Sequence, residues 1–173
     1  MFAGATELPS LVDVAIIGGG YTGLNAARVL AHSGASVAVL ESRSIGWGAS
    51  SRNGGLATTG IKKPVSAIFR QYGSALGREF WQASLDAIDL IGDLVRDEGL
   101  KCDYTQRGHV ALAWKPGHFQ NMLKSVSWYK NNLGYEVRAV AASDLRGEIG
   151  TDAFHGGLVD EHSASVHPAK YVY

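Results

Sequence analysis

Apolar residues come in short continuous runs near the start of the chain and at helical spacing further on. Residues 12–17 are an almost uninterrupted apolar run that stops at Gly18, which predicts a strand of a parallel sheet covered on both faces. Beyond Gly23, Leu24, Ala27, Leu30 and Ala31 recur at helical spacing and Gly34 closes the pattern, predicting a helix that begins near Tyr21. A second apolar run over residues 35–40 ends at Glu41. Strand, glycine turn, helix and strand in that order make a parallel βαβ unit. Residues 61–99 read as mainly helical, and Trp81, Leu85, Ile88, Ile91 and Val95 form one apolar stripe expected to cover the sheet. A strand over residues 109–114 is followed by a helix carrying Phe119, Met122, Leu123, Val126 and Leu133, stopped by Gly134. Tyr135, Val137 and Ala139 then alternate with Glu136 and Arg138 as a strand with one wet face, and Ser143 is placed to cap a short helix through Ile149.

The turn between the first strand and helix reads Gly18-Gly19-Gly20-Tyr21-Thr22-Gly23, which fits G-x-G-x-x-G. Gly18 permits the tight turn, Gly20 lets a diphosphate approach the backbone, and Gly23 lets the helix pack closely on the strand. The unpaired N–H groups and positive end of a helix beginning at Tyr21 complement phosphate charge. Glu41 stands 18 residues beyond Gly23, at a strand end, where a carboxylate accepts hydrogen bonds from ribose hydroxyls. A P-loop is excluded, because Leu24-Asn25 stands where Lys-Ser/Thr must be. Glu41 argues against a 2′-phosphate on that ribose, and Arg43 weakens the argument slightly.

Composition narrows the picture further. Glycine makes up 22 of 173 residues, about twice ordinary usage, and ten of these fall between Gly18 and Gly60. With 46% apolar and 18% charged residues the chain has the means to bury a core. Sixteen basic and sixteen acidic side chains cancel, which gives no support for a nucleic-acid or anionic-membrane partner. A single cysteine, Cys102, fits a reducing, cytoplasmic setting. Residues 1–7 lack the basic and apolar regions of a secretory leader, and no apolar stretch approaches the roughly 18 residues of a membrane span. His155, His162 and His167 have spacings that do not put two imidazoles on one helix face, so no metal site is expected. No G-x-S-x-G elbow is present, and hydrolase chemistry has no support.

Residues 44–55 contain four glycines, three serines, Arg52 and Asn53, with no helical or strand periodicity. Taken alone they read as a mobile surface loop with an Asn53-Gly54 turn. After a dinucleotide turn they read differently. A cofactor longer than one nucleotide needs further backbone and hydroxyl donors, and this loop is placed to supply them, whereas an NAD-specific domain has no obvious use for it.

Two passages resemble the FAD-dependent oxidoreductases related to D-amino-acid oxidase, glycine oxidase and sarcosine oxidase, above all the γ-glutamylputrescine oxidase branch. They are Val14-Ala15-Ile16-Ile17-Gly18-Gly19-Gly20-Tyr21-Thr22-Gly23-Leu24 and the more specific Gly46-Trp47-Gly48-Ala49-Ser50-Ser51-Arg52-Asn53-Gly54-Gly55. The resemblance implies an α/β fold: a Rossmann-like FAD-binding βαβ unit followed by helices and the start of an α+β substrate domain. Residues 1–105 would then be the N-terminal part of the FAD-binding domain with its covering helices. Residues 106–173 would be the start of a mostly antiparallel substrate domain and a turn at His167-Pro168 back toward the first.

The resemblance further implies that Gly18, Gly20, Tyr21, Thr22 and Gly23 hold the FAD diphosphate, that Glu41 holds the adenosine ribose, and that Ser42 and Arg43 lie beside the adenine. Ala49, Ser50, Ser51, Arg52, Asn53 and Gly54 would run along the flavin, with Arg52 shaping the charge near it. The implied reaction is hydride transfer from the α-carbon of a small neutral amine or amino acid to flavin, followed by imine hydrolysis and reoxidation by dioxygen. No residue is assigned as catalytic base. The family is more than twice this length, so the chain is expected to be an N-terminal portion whose two-stranded parallel sheet is marginal and aggregation-prone. A non-catalytic dinucleotide-binding fragment and an NAD-dependent dehydrogenase fragment are the alternatives.

Overall fold

The computed structural model describes residues 8–173, so the leader expectation for residues 1–7 lies outside the described residues. Along the chain the elements run β1 (Val14–Ile17), α1 (Tyr21–His32), β2 (Val37–Leu40), a 3₁₀ turn (Ala49–Ser51), β3 (Leu56–Ala57), α2 (Val65–Tyr72) and α3 (Ser74–Asp97). There follow β4 (His109–Leu112), α4 (Pro116–Leu133), β5 (Arg138–Ala141), α5 (Arg146–Ile149), β6 (Gly156–Asp160), β7 (Ala164–Ser165) and α6 (Pro168–Val172). The chain packs as two compact units, one formed by the residues up to Gly54 with His167–Tyr173, the other by Gly55–Val166.

In the first unit β1 and β2 pair in parallel with Val14 opposite Val37 and Ile17 opposite Leu40, and α1 makes the crossover that parallel pairing requires. The register is pinned at its start by Asp13, whose carboxylate accepts from both the N–H and the hydroxyl of Ser36 at 2.8 and 2.6 Å. Gly34, at φ +90°, donates to the Ala31 carbonyl and turns the chain out of α1. The expected strand and helix are therefore present, with one difference. β1 is not covered on both faces: Val14 and Ile16 are half-buried, while Ala15 is exposed and Ile17 is 90% exposed. The sheet has two strands, and alternate side chains of a strand point to opposite faces, so a helix on one face shields only every second residue.

The second unit is built on a three-stranded antiparallel sheet in the order β4-β6-β5. β4 and β5 are both antiparallel to β6, which separates them, so strand, helix and strand here are a split unit and not a second nucleotide-type βαβ. Leu145, fully buried, packs with Val140 and Val159 at its core, against Val110, Leu112, Ile149 and Phe154. The alternation of residues 135–139 is as the sequence predicts, with Glu136 and Arg138 exposed. The short helix is not: it starts at Arg146, and Ser143 sits in the preceding turn without capping it.

The stripe on α3 is inward-facing, with Trp81 and Ile88 buried and Leu85, Ile91 and Val95 half-buried. Trp81 meets Tyr129 of α4 and Tyr135 with ring centroids 5.4 and 4.9 Å apart, so α2 and α3 pack in the second unit. Helical periodicity shows that a face is covered but carries no label for what covers it.

Asp160, at the end of β6, gathers the polar contacts of this unit. Its carboxylate accepts from the Thr59 hydroxyl, the Ser163 hydroxyl at 3.2 Å, the Tyr135 hydroxyl at 2.5 Å and the His162 N–H at 3.0 Å.

Candidate functional site

The turn after β1 is shaped by what its glycines lack. Gly18 has φ +105°, a conformation that side-chain-bearing residues rarely adopt, and its N–H donates to the Leu40 carbonyl at 2.8 Å. Gly20 precedes α1 with extended backbone and no capping side chain of its own. A Cβ on Gly23 would lie 2.0 Å from the Gly18 carbonyl oxygen and 3.2 Å from Ile16 Cγ2, so the first turn of α1 passes directly over the end of β1. Close packing of helix on strand is thus the observed consequence of Gly23.

Two side-chain oxygens reach the N–H groups at this turn. Glu41 Oε2 accepts from Gly19 N–H at 2.9 Å, and Ser50 Oγ accepts from Tyr21 N–H at 3.0 Å. Ser50 therefore caps a helix from 29 residues away, and a Cβ on Gly20 would stand 2.9 Å from its hydroxyl. The other Glu41 oxygen accepts from Arg43 N–H at 2.9 Å and from the Ser42 hydroxyl at 3.4 Å. The Gly19 and then the Arg43 N–H hold the Glu41 carboxyl below the usual carboxylate range. A carboxyl whose folded pKa is lowered adds stability above its ordinary value, about pH 4.3, and that stability is lost as pH falls through the lowered value. Glu41→Gln should accordingly flatten the acid limb of the first unit's stability, measured as the denaturant midpoint from about pH 6 down to about pH 3.

The second loop is tied to the first turn by the Gly46 N–H, which donates to the Gly19 carbonyl at 2.8 Å. Gly46, buried at φ +66°, has no room for a Cβ, which would lie 2.3 Å from Val172 Cγ1 of α6. Tyr21 adds a second link to α6, through a 3.3 Å bond from its hydroxyl to the Pro168 carbonyl and an edge contact with Tyr171. Within the loop, Ala49, Ser50 and Ser51 form the 3₁₀ turn, with the Arg52 N–H donating to the Ala49 carbonyl. Asn53 spends its side-chain amide on the Ala49 and Ser50 carbonyls at 2.9 and 3.1 Å, so it fastens this turn. Thr22 and Gly54 are exposed.

Of the residues singled out in the sequence, Gly18 to Gly23, Glu41 to Arg43 and Ser50 are brought together at one helix end. Arg43 and Arg52 meet elsewhere in the loop, over the ring of Trp47. Of the histidines singled out in the sequence, His167 accepts the Lys170 N–H at its ring in the first unit, and His162 stands 3.0 Å from Asp89 in the second. Sequence reasoning missed Gly19 and Trp47. Gly19 is signalled only as the middle glycine of the run, at a position the motif leaves open, and a Cβ there would lie 2.7 Å from Ile45 Cδ1; Trp47 has no local signal.

The family model for FAD dependent oxidoreductases, the DAO family, matches residues 13–173. The chain belongs to that family. It is 32% identical over 160 residues to the probable oxidoreductase OrdL of Haemophilus influenzae, which aligns 92% of this chain with 37% of that protein. Over 156 residues it is 29% identical to the gamma-glutamylputrescine oxidoreductase of Escherichia coli, covering 90% of this chain and 36% of that one. The DAO chain thus spans little more than a third of the length of these curated relatives. The crystal structure of glycine oxidase from Geobacillus kaustophilus superposes with a TM-score of 0.72 at 21% identity, over 93% of this chain and 42% of that one. That likeness shows a shared fold, that of FAD-dependent oxidases with a Rossmann-like cofactor unit. No helix among the described residues is long and apolar enough to cross a membrane.

Proposed function

We propose that this chain carries the cofactor-holding part of an FAD-dependent enzyme of the cytoplasm that oxidises a carbon–nitrogen bond of a small neutral amine or amino acid, with dioxygen as electron acceptor. The observation that carries the reading is the convergence of two separate loops on the N-terminus of α1. The N–H groups of Gly19 and Tyr21 are each directed at a side-chain oxygen, one from Glu41 and one from Ser50, so the turn is built to meet oxygen acceptors. With those two N–H groups paired, the helix end would meet a dinucleotide's diphosphate through the neighbouring backbone N–H groups of Gly20 and Thr22 and the Ser50 hydroxyl. Gly18 and Gly20 leave the turn without Cβ atoms, Gly23 lets α1 close on β1, and the positive end of α1 at Tyr21 and Thr22 would face the diphosphate charge. Ser50, as a hydroxyl, accepts from Tyr21 and still has a proton to donate to a phosphate oxygen.

Glu41 uses one oxygen on Gly19 and the other on Arg43 and Ser42, and a carboxylate has about four acceptor positions, so lone pairs remain for ribose hydroxyls. By their backbones Ser42 and Arg43 then lie on the adenine side, and Ala49, Ser50, Ser51, Arg52, Asn53 and Gly54 on the flavin side, while the long side chains of Arg43 and Arg52 reach a shared place between the two on Trp47. Bound FAD supplies a two-electron acceptor, and the residues of this chain bind and orient it. The names of the relatives, gamma-glutamylputrescine oxidoreductase and glycine oxidase, support an amine or amino acid as the substrate class.

Titration of the purified chain with FAD tests the reading. A yellow chromophore that is released by heat is expected with the wild type. Gly20→Val, which directs a branched side chain at Ser50 and the diphosphate face, should abolish it. Binding of NADH with no uptake of flavin would sink the FAD reading and leave an NAD-type domain in its place.

A further inference from the structure

Trp47 lies between the two arginines of the candidate site in sequence and beneath both in space. The guanidinium carbon of Arg43 is 4.1 Å from the centre of its ring and that of Arg52 is 4.4 Å. Tryptophan presents the most electron-rich face among the aromatic side chains, and cations within about 6 Å of the ring centre are held by it. Among the described residues no carboxylate is ion-paired with either arginine. Two like charges that repel each other are therefore collected on one ring that is 41% exposed, without an acid to neutralise them. The pairing also joins two segments. Arg43 stands two residues after Glu41, which accepts from Gly19, and Arg52 two residues after Ser50, which accepts from Tyr21. The backbone of each arginine is thus anchored to the N-terminus of α1, and Trp47 decides where the two long side chains rest.

We infer that Trp47 is a positioning residue that holds Arg43 and Arg52 together as a two-cation clamp for the diphosphate-bridged cofactor. The inference rests on the dinucleotide reading above and adds a residue that neither its glycine motif nor its acidic residue contains. A long arginine side chain loses rotamer entropy when it is held, and ordering both on a ring before the ligand arrives leaves less to be lost on binding. The clamp makes the two cations act as a unit, so their contributions to affinity depend on the ring and not on each other's sequence position.

A double-mutant cycle read by FAD titration tests this. Trp47→Leu should weaken FAD binding about tenfold, Trp47→Phe, which keeps a ring face, should stay within about threefold of wild type, and Arg52→Gln should cost clearly less in the Trp47→Leu background than alone. The salt dependence of binding should be shallower in Trp47→Leu than in wild type. A second readout needs no cofactor. In the free protein the side-chain protons of Arg43 and Arg52 should carry ring-current shifts in the NMR spectrum that persist in Trp47→Phe and vanish in Trp47→Leu. Additive losses in the cycle, or arginine signals that Trp47→Leu leaves in place, overturn the clamp even though the wild-type chain binds FAD. Shifted arginine signals in a wild-type chain that takes up no FAD overturn the dinucleotide reading, and the clamp's ligand with it.

Discussion

Gly23→Ala is expected to remove about 3 kcal/mol or more from the stability of the first unit and to abolish FAD uptake. The added methyl would sit 2.0 Å from the Gly18 carbonyl oxygen, far inside contact distance, and 3.2 Å from the Gly18 carbonyl carbon and from Ile16 Cγ2. Overpacking of this kind costs about 1–3 kcal/mol where a side chain can move, and more where it cannot. Here the first obstacle is backbone, and its position is set by the Gly18 N–H bond to Leu40 and by the φ of +105°. Relief requires α1 to lift from β1, which displaces the Tyr21 N–H from Ser50 and opens the site as well as the core. Gly48→Ala is the matching control. Gly48 has φ −79° and a Cβ there meets nothing within 4 Å, so its midpoint should be unchanged. Urea unfolding of the two variants beside wild type measures the difference.

Asp160→Ala is expected to cost about 3–5 kcal/mol in the second unit, the other large effect. The substitution strips the acceptor from the hydroxyls of Thr59, Ser163 and Tyr135 and from the His162 N–H at once. Each buried donor left without a partner costs about 1–3 kcal/mol, and the losses are not additive because the four share one carboxylate. Ser163 is buried, so water does not replace its lost partner. Asp160→Asn retains one oxygen and should cost about half as much.

A pH signature separates this network from simple packing. Burial first, and then the bond to the Asp160 carboxylate, push the Tyr135 phenol above its ordinary value. A group whose folded pKa is raised adds stability that is complete below its unfolded value, about pH 10, and is lost as pH climbs beyond it. Wild type should therefore lose stability above about pH 10 more steeply than Asp160→Ala, in which part of the cause is gone. Equal alkaline limbs would show that the carboxylate does not act on the phenol.

How far the sequence could be read differs from element to element. The turn, α1 and the two strands around it were legible because each depends on residues within a turn or two: an apolar run ended by Gly18, apolar spacing from Leu24, a stop at Gly34. The antiparallel β3–β7 pair was not, since Leu56–Ala57 and Ala164–Ser165 are too short to carry a period and lie far apart along the chain. The α3 stripe is legible as a buried face, but its partners Tyr129, on α4, and Tyr135, in the link after α4, stand about fifty residues beyond Trp81. Ser143 was misassigned as a cap because a serine before a short apolar pattern is a probable signal, and the chain instead makes a tight turn through residues 141–144 before α5.

The glycine turn after β1 can be read from local sequence because its demands are steric: a positive φ at Gly18 and no Cβ at Gly23. The composition of residues 44–55 points to a second loop serving the same ligand, and the chain's membership of the DAO family rests on residues 13–173 as a whole. Only the tertiary structure decided which acceptor meets which donor. Glu41 turns one oxygen back onto Gly19, Ser50 caps a helix 29 residues before it, and Arg43 and Arg52 settle on Trp47. Those contacts are set by the directions in which side chains leave the folded backbone, and periodicity and motif spacing along the chain carry no information about such directions.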